Sequence, residues 1–298
     1  MSLVKVALIG YGYWGKKLEK YLTRDNGFNL VSICNSKTKL EKIFPKIEAV
    51  VIATPIETHY SLAKRALQAG KHVLSEKPLA LTTSECLELK QLSIQKRKTI
   101  MVEYTQSFSP GLLKAVEIDI GILESIDMRV RHLGRFMEHD VYWLLASHCL
   151  SILDIFVPIK ELTFMKVDQI KTDDRTETGI ILFEKEKFKG QISLSLNYPG
   201  KDYQVVIYGS RGTIIYDTQE NPSLKITWYN KKHKLLPPEL ITDVKQYDLD
   251  ESNNLDYALK FFYKSITKAQ EANINRAIEV TRVLENLKNI EEKNETAL

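Results

Sequence analysis

The sequence predicts an α/β protein in two parts: a doubly wound parallel sheet over residues 1–118, then an α+β part over residues 119–298 carrying a mostly antiparallel sheet. Three observations lead there. Five short apolar runs alternate with helical segments as far as Glu103, which is the rhythm of a parallel sheet with crossover helices. The first run ends in Gly10-Tyr-Gly-Tyr-Trp-Gly15, a glycine spacing that suits a tight strand-to-helix turn. Beyond Pro110 the pattern changes to successive strands with polar faces, closed by two helices.

Each element of the first part has its own signal. Leu3 to Ile9 is apolar apart from Lys5, and Leu18 and Leu22 mark the inner face of the helix that follows the glycines. In such a turn Gly10 permits the tight bend, Gly12 lets backbone approach a pyrophosphate, and Gly15 lets helix pack on strand. An anion then sits on free amide groups at the helix start. Phe28 to Cys34 is the second strand, and it ends at Asn35-Ser36-Lys37, about 20 residues past the last glycine, where the ribose is read in this geometry. An acidic residue there favours NAD; Asn35 is uncharged, and Ser36, Lys37 and Lys39 suit a 2′-phosphate or, equally, a plain solvated turn.

Glu48 to Ala53 is the third strand, with Thr54-Pro55 at its carboxyl end and a helix from Glu57 to Ala69. Pro55 offers a flat apolar ring to a nicotinamide or ribose, since it has no amide hydrogen. His59 is either a phosphate or ribose contact or a polar residue near a helix start. Lys71 to Ser75 is the fourth strand, and it delivers Glu76, Lys77 and Pro78 to the sheet edge where ligands bind in open α/β sheets. Thr82 to Glu85 reads as a capping box, and Thr99 to Glu103 as the fifth strand. Tyr104, just past it, either reaches the cofactor pocket or packs. Tyr11, Tyr13 and Trp14 in the glycine turn either pack or cover a cofactor.

In the second part a helix over Leu112 to Glu117 precedes a strand over Ile122 to Arg131 and a helix from His139 to Phe156. Six strands follow, from Leu162 to Tyr229, with Gly209-Ser-Arg-Gly212 turning between two of them. Helices over Leu255 to Ala269 and Asn275 to Ile290 close the chain, and Glu291 to Leu298 reads as frayed. There is no internal repeat.

Composition excludes several classes. Net charge is +4 with dispersed basic residues, and Lys231-Lys-His-Lys234 is a short cluster that fits a hairpin turn in water, so a nucleic-acid partner is not expected. Asp173-Asp174 reads as a solvated turn. The cysteines Cys34, Cys86 and Cys149 are far apart and show no metal spacing, so they are expected as reduced core thiols in a cytoplasmic protein without a bound metal. The N-terminal apolar run is too short for a membrane span and lacks a cleavage pattern.

Taken together, Gly10-Tyr-Gly-Tyr-Trp-Gly15, Ala53-Thr-Pro-Ile-Glu-Thr-His59 and Ala69-Gly-Lys-His-Val-Leu-Ser-Glu-Lys-Pro-Leu79 resemble the Gfo/Idh/MocA family of nicotinamide-dependent oxidoreductases, over nearly the whole chain. Phe108-Ser-Pro110 and Gly209-Ser-Arg-Gly-Thr213 are weaker echoes. The resemblance implies a Rossmann domain and a second domain whose open sheet forms homodimers or homotetramers. It implies NAD or NADP bound by Gly10, Gly12, Tyr13, Trp14, Gly15, Asn35, Ser36, Lys37, Thr54, Pro55, His59, Glu76, Lys77 and Tyr104, and a cis bond at Lys77-Pro78. It also implies Lys77 and His148 as catalytic residues acting on a small, sugar-like substrate. The family's aspartate, four residues before the histidine, is Leu144 here, and the position after the histidine is Cys149. Three outcomes follow: a substrate that does without the carboxylate, a substitute such as Asp140, or lost catalysis in a dinucleotide-binding sensor. Tyr142 and Trp143 either stack on a sugar or belong to the core. Reduction of an imine or conjugated double bond is the alternative chemistry.

Overall fold

A computed structural model describes residues 3–24, 26–134, 139–172, 175–230, 241–268 and 272–295, with side chains described as far as residue 288. The elements run β1 (Val4–Ile9), α1 (Tyr13–Leu22), β2 (Phe28–Cys34), β3 (Ala49–Ile52), α2 (His59–Gln68), β4 (His72–Glu76), α3 (Thr83–Lys96), β5 (Ile100–Glu103) and α4 (Pro110–Val116). Then come β6 (Leu123–Leu133), a π-helical turn (Tyr142–Ala146), α5 (Ser147–Phe156), β7 (Thr163–Thr172), β8 (Arg175–Lys185) and β9 (Phe188–Ser195). The chain continues with β10 (Asn197–Gly209), β11 (Gly212–Asp217), β12 (Leu224–Tyr229), β13 (Ile241–Tyr247), α6 (Asn254–Thr267) and α7 (Ile274–Glu295). Lys231 to Lys234 and Asp173-Asp174 lie outside the described residues.

One compact unit comprises Met1–Phe108 and Asn253–Glu285. Its five strands are parallel in the order β2-β1-β3-β4-β5. β1, β3 and β5 are apolar apart from Lys5 and Glu103, and the middle of β4 is buried, because both faces of the sheet are covered, as parallel sheets require. Between β2 and β3 stand only two short 3-10 turns, Leu40–Lys42 and Phe44–Lys46, where a regular βαβ rhythm leads one to expect a helix; Pro45 and the brevity of the segment oppose one. Leu255, Ala258, Leu259 and Phe262 of α6 are buried with Val4, Val6, Leu8, Leu18, Leu22 and Phe28, and the rings of Phe28 and Phe262 stack at 5.7 Å. The Asn273 side chain donates to the Val102 carbonyl at 2.7 Å and accepts from its amide at 2.8 Å, occupying backbone groups of edge strand β5. A single cut near Ile118 therefore differs from the division in the structure, where the chain leaves this unit at Phe108 and α6 returns to it.

The other unit comprises Ser109–Ser252 and Asn286–Leu298. It contains an eight-stranded sheet in the order β13-β12-β11-β10-β6-β9-β8-β7, antiparallel except for the parallel pair β6 and β9. Along β6 burial alternates, with Ile126, Met128 and Val130 inward, as a sheet with one wet face demands. The helix anticipated from His139 instead begins at Val141, passes through the π-helical turn and becomes regular only at Ser147. Asp140 sets that start by accepting the Tyr142 amide at 2.8 Å. Strand β13 carried no signal because it is an edge strand exposed along nearly all its length.

Candidate functional site

The glycine turn divides its labour among three residues. Gly10 has φ +97°, and a Cβ there would meet the Ala53 carbonyl oxygen at 2.2 Å, so this backbone admits only glycine. A Cβ on Gly15 would meet the Gly10 carbonyl oxygen at 2.2 Å, which is the close helix-to-strand approach. A Cβ on Gly12 would meet nothing within 4 Å. Gly12 is the N-cap of α1, no side chain caps that end, and no acidic residue stands in the first turn. Open space before bare amide groups at a helix start fits a phosphate, so the residues present suit a dinucleotide.

Thr54 and Pro55 follow β3, which pairs with β1, and Lys77 and Pro78 follow β4, the next strand along, so both turns leave the same carboxyl edge as the glycine turn. Pro55 is exposed, Thr54 and Lys77 are half-buried, and the Lys77-Pro78 bond is cis. The Thr58 hydroxyl lies 2.7 Å from the Thr54 hydroxyl and 2.6 Å from the Pro55 carbonyl, fixing that turn. Tyr13 stands 62% exposed, and the Tyr11 hydroxyl donates to Glu19 at 2.5 Å. Trp14 is half-buried against the core with Lys17 over its ring at 4.5 Å, which favours packing over cover.

Two expected contacts change character. His59 is 2% exposed, with Nδ1 2.7 Å from the Pro78 carbonyl and Nε2 2.8 Å from the Thr54 carbonyl. It braces the two turns from inside and presents nothing to a phosphate or ribose; burial pulls its pKa down against the pull of those carbonyls. Tyr104 is wholly buried, a core ring rather than a cofactor surface. Asn35 folds its carbonyl oxygen onto the Lys37 amide at 3.0 Å in an Asx turn, leaving Ser36 and Lys37 exposed at the position where a ribose is read.

Glu103 is a residue the sequence reading passed over. It is the register partner of Glu76 at the carboxyl ends of β5 and β4, and it is 1% exposed. Its signal was available: a glutamate closing an otherwise apolar buried strand.

In the other unit, His148 lies in the first turn of α5, half-buried, and Leu144 lies half-buried in the preceding turn, while Val141, Leu145, Ala146 and Cys149 are buried. The partly exposed side of this segment thus carries Trp143, Leu144 and His148. Tyr142 is a core residue, its hydroxyl donating to Asp168 at 2.7 Å. Asp140 does not serve as a spare carboxylate, because one oxygen accepts the Tyr142 amide and the other the Thr176 amide at 3.0 Å. Cys34, Cys86 and Cys149 are free and buried, and no cluster able to hold a metal occurs among the described residues. No helix among them is long and apolar enough to cross a membrane.

Residues 38–104 match the profile of an oxidoreductase family with an NAD-binding Rossmann fold. An uncharacterized oxidoreductase of Escherichia coli is 32% identical over 152 residues, covering 45% of this chain and 44% of the relative. The matched stretch thus spans less than half the length of such relatives, 28% in the case of a Synechocystis oxidoreductase. Among solved structures, UDP-N-acetylglucosamine 3-dehydrogenase from Acidithiobacillus ferrooxidans has a TM-score of 0.87 at 16% identity, covering 96% of this chain and 97% of that one. An inositol dehydrogenase homolog from Azotobacter vinelandii, complexed with NADH and myo-inositol, has a TM-score of 0.77 at 18% identity, covering 95% of this chain and 94% of that one. The fold is shared along the chain.

Proposed function

We propose that this chain, whose nucleotide-binding unit is that of the Gfo/Idh/MocA oxidoreductases, transfers hydride between a nicotinamide cofactor and a secondary alcohol or ketone of a sugar, sugar acid or nucleotide sugar. The observation that carries the reading is the open space at Gly12 before an uncapped helix, with Lys77 delivered to the same sheet edge by β4, two strands along from β1. Bound NAD or NADP supplies the hydride acceptor or donor. Gly12 and the first amides of α1 hold the pyrophosphate, Ser36 and Lys37 border the ribose, and Pro55 lines the flat face. Lys77 polarises the substrate oxygen, and His148 takes or returns its proton. The sugar class is supported by the dehydrogenase relatives named above. Homodimers or homotetramers through the second unit's sheet belong to the same reading, supported by the exposed apolar residues Met165, Val167, Ile170, Ile241 and Val244 on its edge strands.

Leu144 favours a second reading, a dinucleotide-binding sensor that has lost chemistry, because Asp140 is committed to backbone amides and does not replace the missing carboxylate. A panel of sugars and sugar acids assayed with NAD and NADP separates the two. Lys77→Ala and His148→Ala are each expected to lower kcat/KM by roughly 100-fold or more. Unchanged rates in both variants reject the assignment, and turnover gained by Leu144→Asp where the parent has none supports the sensor.

A further inference from the structure

The hydride-transfer reading leaves unexplained why two carboxyl groups meet at the edge that carries Lys77. Glu76 and Glu103 close two adjacent parallel strands as register partners, so their side chains leave the sheet on the same face. One oxygen of each has a donor: the Thr105 hydroxyl gives to Glu103 Oε2 at 2.6 Å, and the Lys77 amide to Glu76 Oε2 at 3.4 Å. The other oxygen of each, Oε1, is buried and has no donor among the described residues. The two carboxyl groups act directly on one another, and the charged groups that bear on them are Lys17 of α1 and Lys77 itself. His59, from the start of α2, turns both ring nitrogens to carbonyl oxygens instead.

Two ionised carboxylates in this setting repel each other and leave two buried acceptors without a hydrogen. One proton between them supplies a donor where both lack one and removes one of the two charges. We propose that Glu76 and Glu103 share a single proton at neutral pH and act as a positioning pair for Lys77, placing one negative charge, not two, beside the turn that holds its ammonium group. The role for Lys77 rests on the hydride-transfer reading; the shared proton does not. Burial, the largest influence, pushes both carboxyls up, Glu103 to about 7 and Glu76 well above the ordinary carboxylate range. In Glu76 the neighbouring Glu103 charge adds to that push, whereas in Glu103 the Thr105 hydroxyl, a hydrogen bond with Glu76, and then Lys17 and Lys77 oppose it. The motif at residues 76–78 is therefore completed by a residue from the next strand.

Infrared titration of the full-length protein without cofactor tests the shared proton directly. The carbonyl stretch of a protonated carboxyl group is expected to persist through neutral pH, and in Glu76→Gln or Glu103→Gln the remaining acid is expected to bind its proton at least about tenfold more weakly. Absence of the band in the parent at neutral pH, or an unmoved titration in both variants, overturns the pair. Melting curves give a second readout. The folded protein holds a proton that the unfolded chain has released, so Tm is expected to fall as pH rises from about 5 through neutral, and less steeply in Glu103→Gln. An equal slope in parent and variant overturns it, and if Glu103→Gln does not fold, Glu76→Gln and the parent titration decide. For the positioning role, the pH profile of kcat/KM is expected to carry a transition near pH 7 that Glu103→Gln displaces to lower pH. A profile that stays put while the infrared band moves rejects that role alone; loss of any effect from Lys77→Ala rejects the hydride-transfer reading and leaves the shared proton standing.

Discussion

At the scale of single residues, Gly10 and Gly12 make a contrast that experiment can exploit. Gly10→Ala forces a Cβ against the Ala53 carbonyl at a positive φ, and is expected to cost about 1–3 kcal/mol of stability. Gly12→Ala meets no protein atom, so chemical denaturation should find stability within about 0.5 kcal/mol of the parent. Calorimetric titration should show its NAD or NADP affinity reduced roughly tenfold, because the methyl group occupies space a phosphate needs. Equal effects of the two variants on both measurements would refute this division of roles. His59→Ala makes a different demand: it removes the buried ring held between the Pro78 and Thr54 carbonyls, one of which loses its N–H donor, and is expected to lower stability by about 2–3 kcal/mol by denaturant unfolding.

At the scale of elements, the start of β4 contains a pH-sensitive joint. The Thr99 amide donates to His72 Nδ1 at 3.0 Å, which requires a lone pair on that nitrogen. Burial, then the nearby Lys98 charge, pulls the His72 pKa down to about 4. A histidine whose pKa is lower folded than unfolded gives stability that is full above its unfolded value near 6.5 and is lost as pH falls toward the folded value. Melting temperature should therefore drop between about pH 6.5 and pH 4, and His72→Gln should flatten that part of the curve. Because the buried carboxyl pair has the opposite sign, the two contributions separate in the single variants. Helix α3 begins with a capping box in which the Glu85 amide donates to the Thr82 hydroxyl at 3.2 Å and the Thr82 amide to Glu85 at 3.3 Å. Thr82→Ala is expected to cost about 1 kcal/mol, read from the shift of the denaturation midpoint.

For the whole molecule, the return of α6 to the nucleotide-binding unit sets what can fold alone. A fragment ending at residue 118 lacks Leu255, Leu259 and Phe262, and so uncovers Val4, Leu18, Leu22 and Phe28. It should bind a hydrophobic dye and melt well below the intact chain; a fragment as stable as the parent and free of dye binding would show that α6 is dispensable. The sequence by itself determined the parallel five-strand pattern, the glycine turn, the capping box and the placement of Lys77 at a strand end, because all of these are local: apolar runs, turn residues and caps act within a few positions of one another. It also showed Leu144 where an aspartate was expected. Only the tertiary structure decided what His59, Tyr104 and Asp140 do, since each depends on carbonyls, amides or packing from segments distant in sequence. The same holds for β13, an edge strand without a buried face to impose alternation, and for α6, whose apolar stripe does not say which sheet it covers. It holds most plainly for Glu103, which becomes part of the Lys77 edge only because register places it beside Glu76, and register between strands separated by a helix is a property of the folded chain.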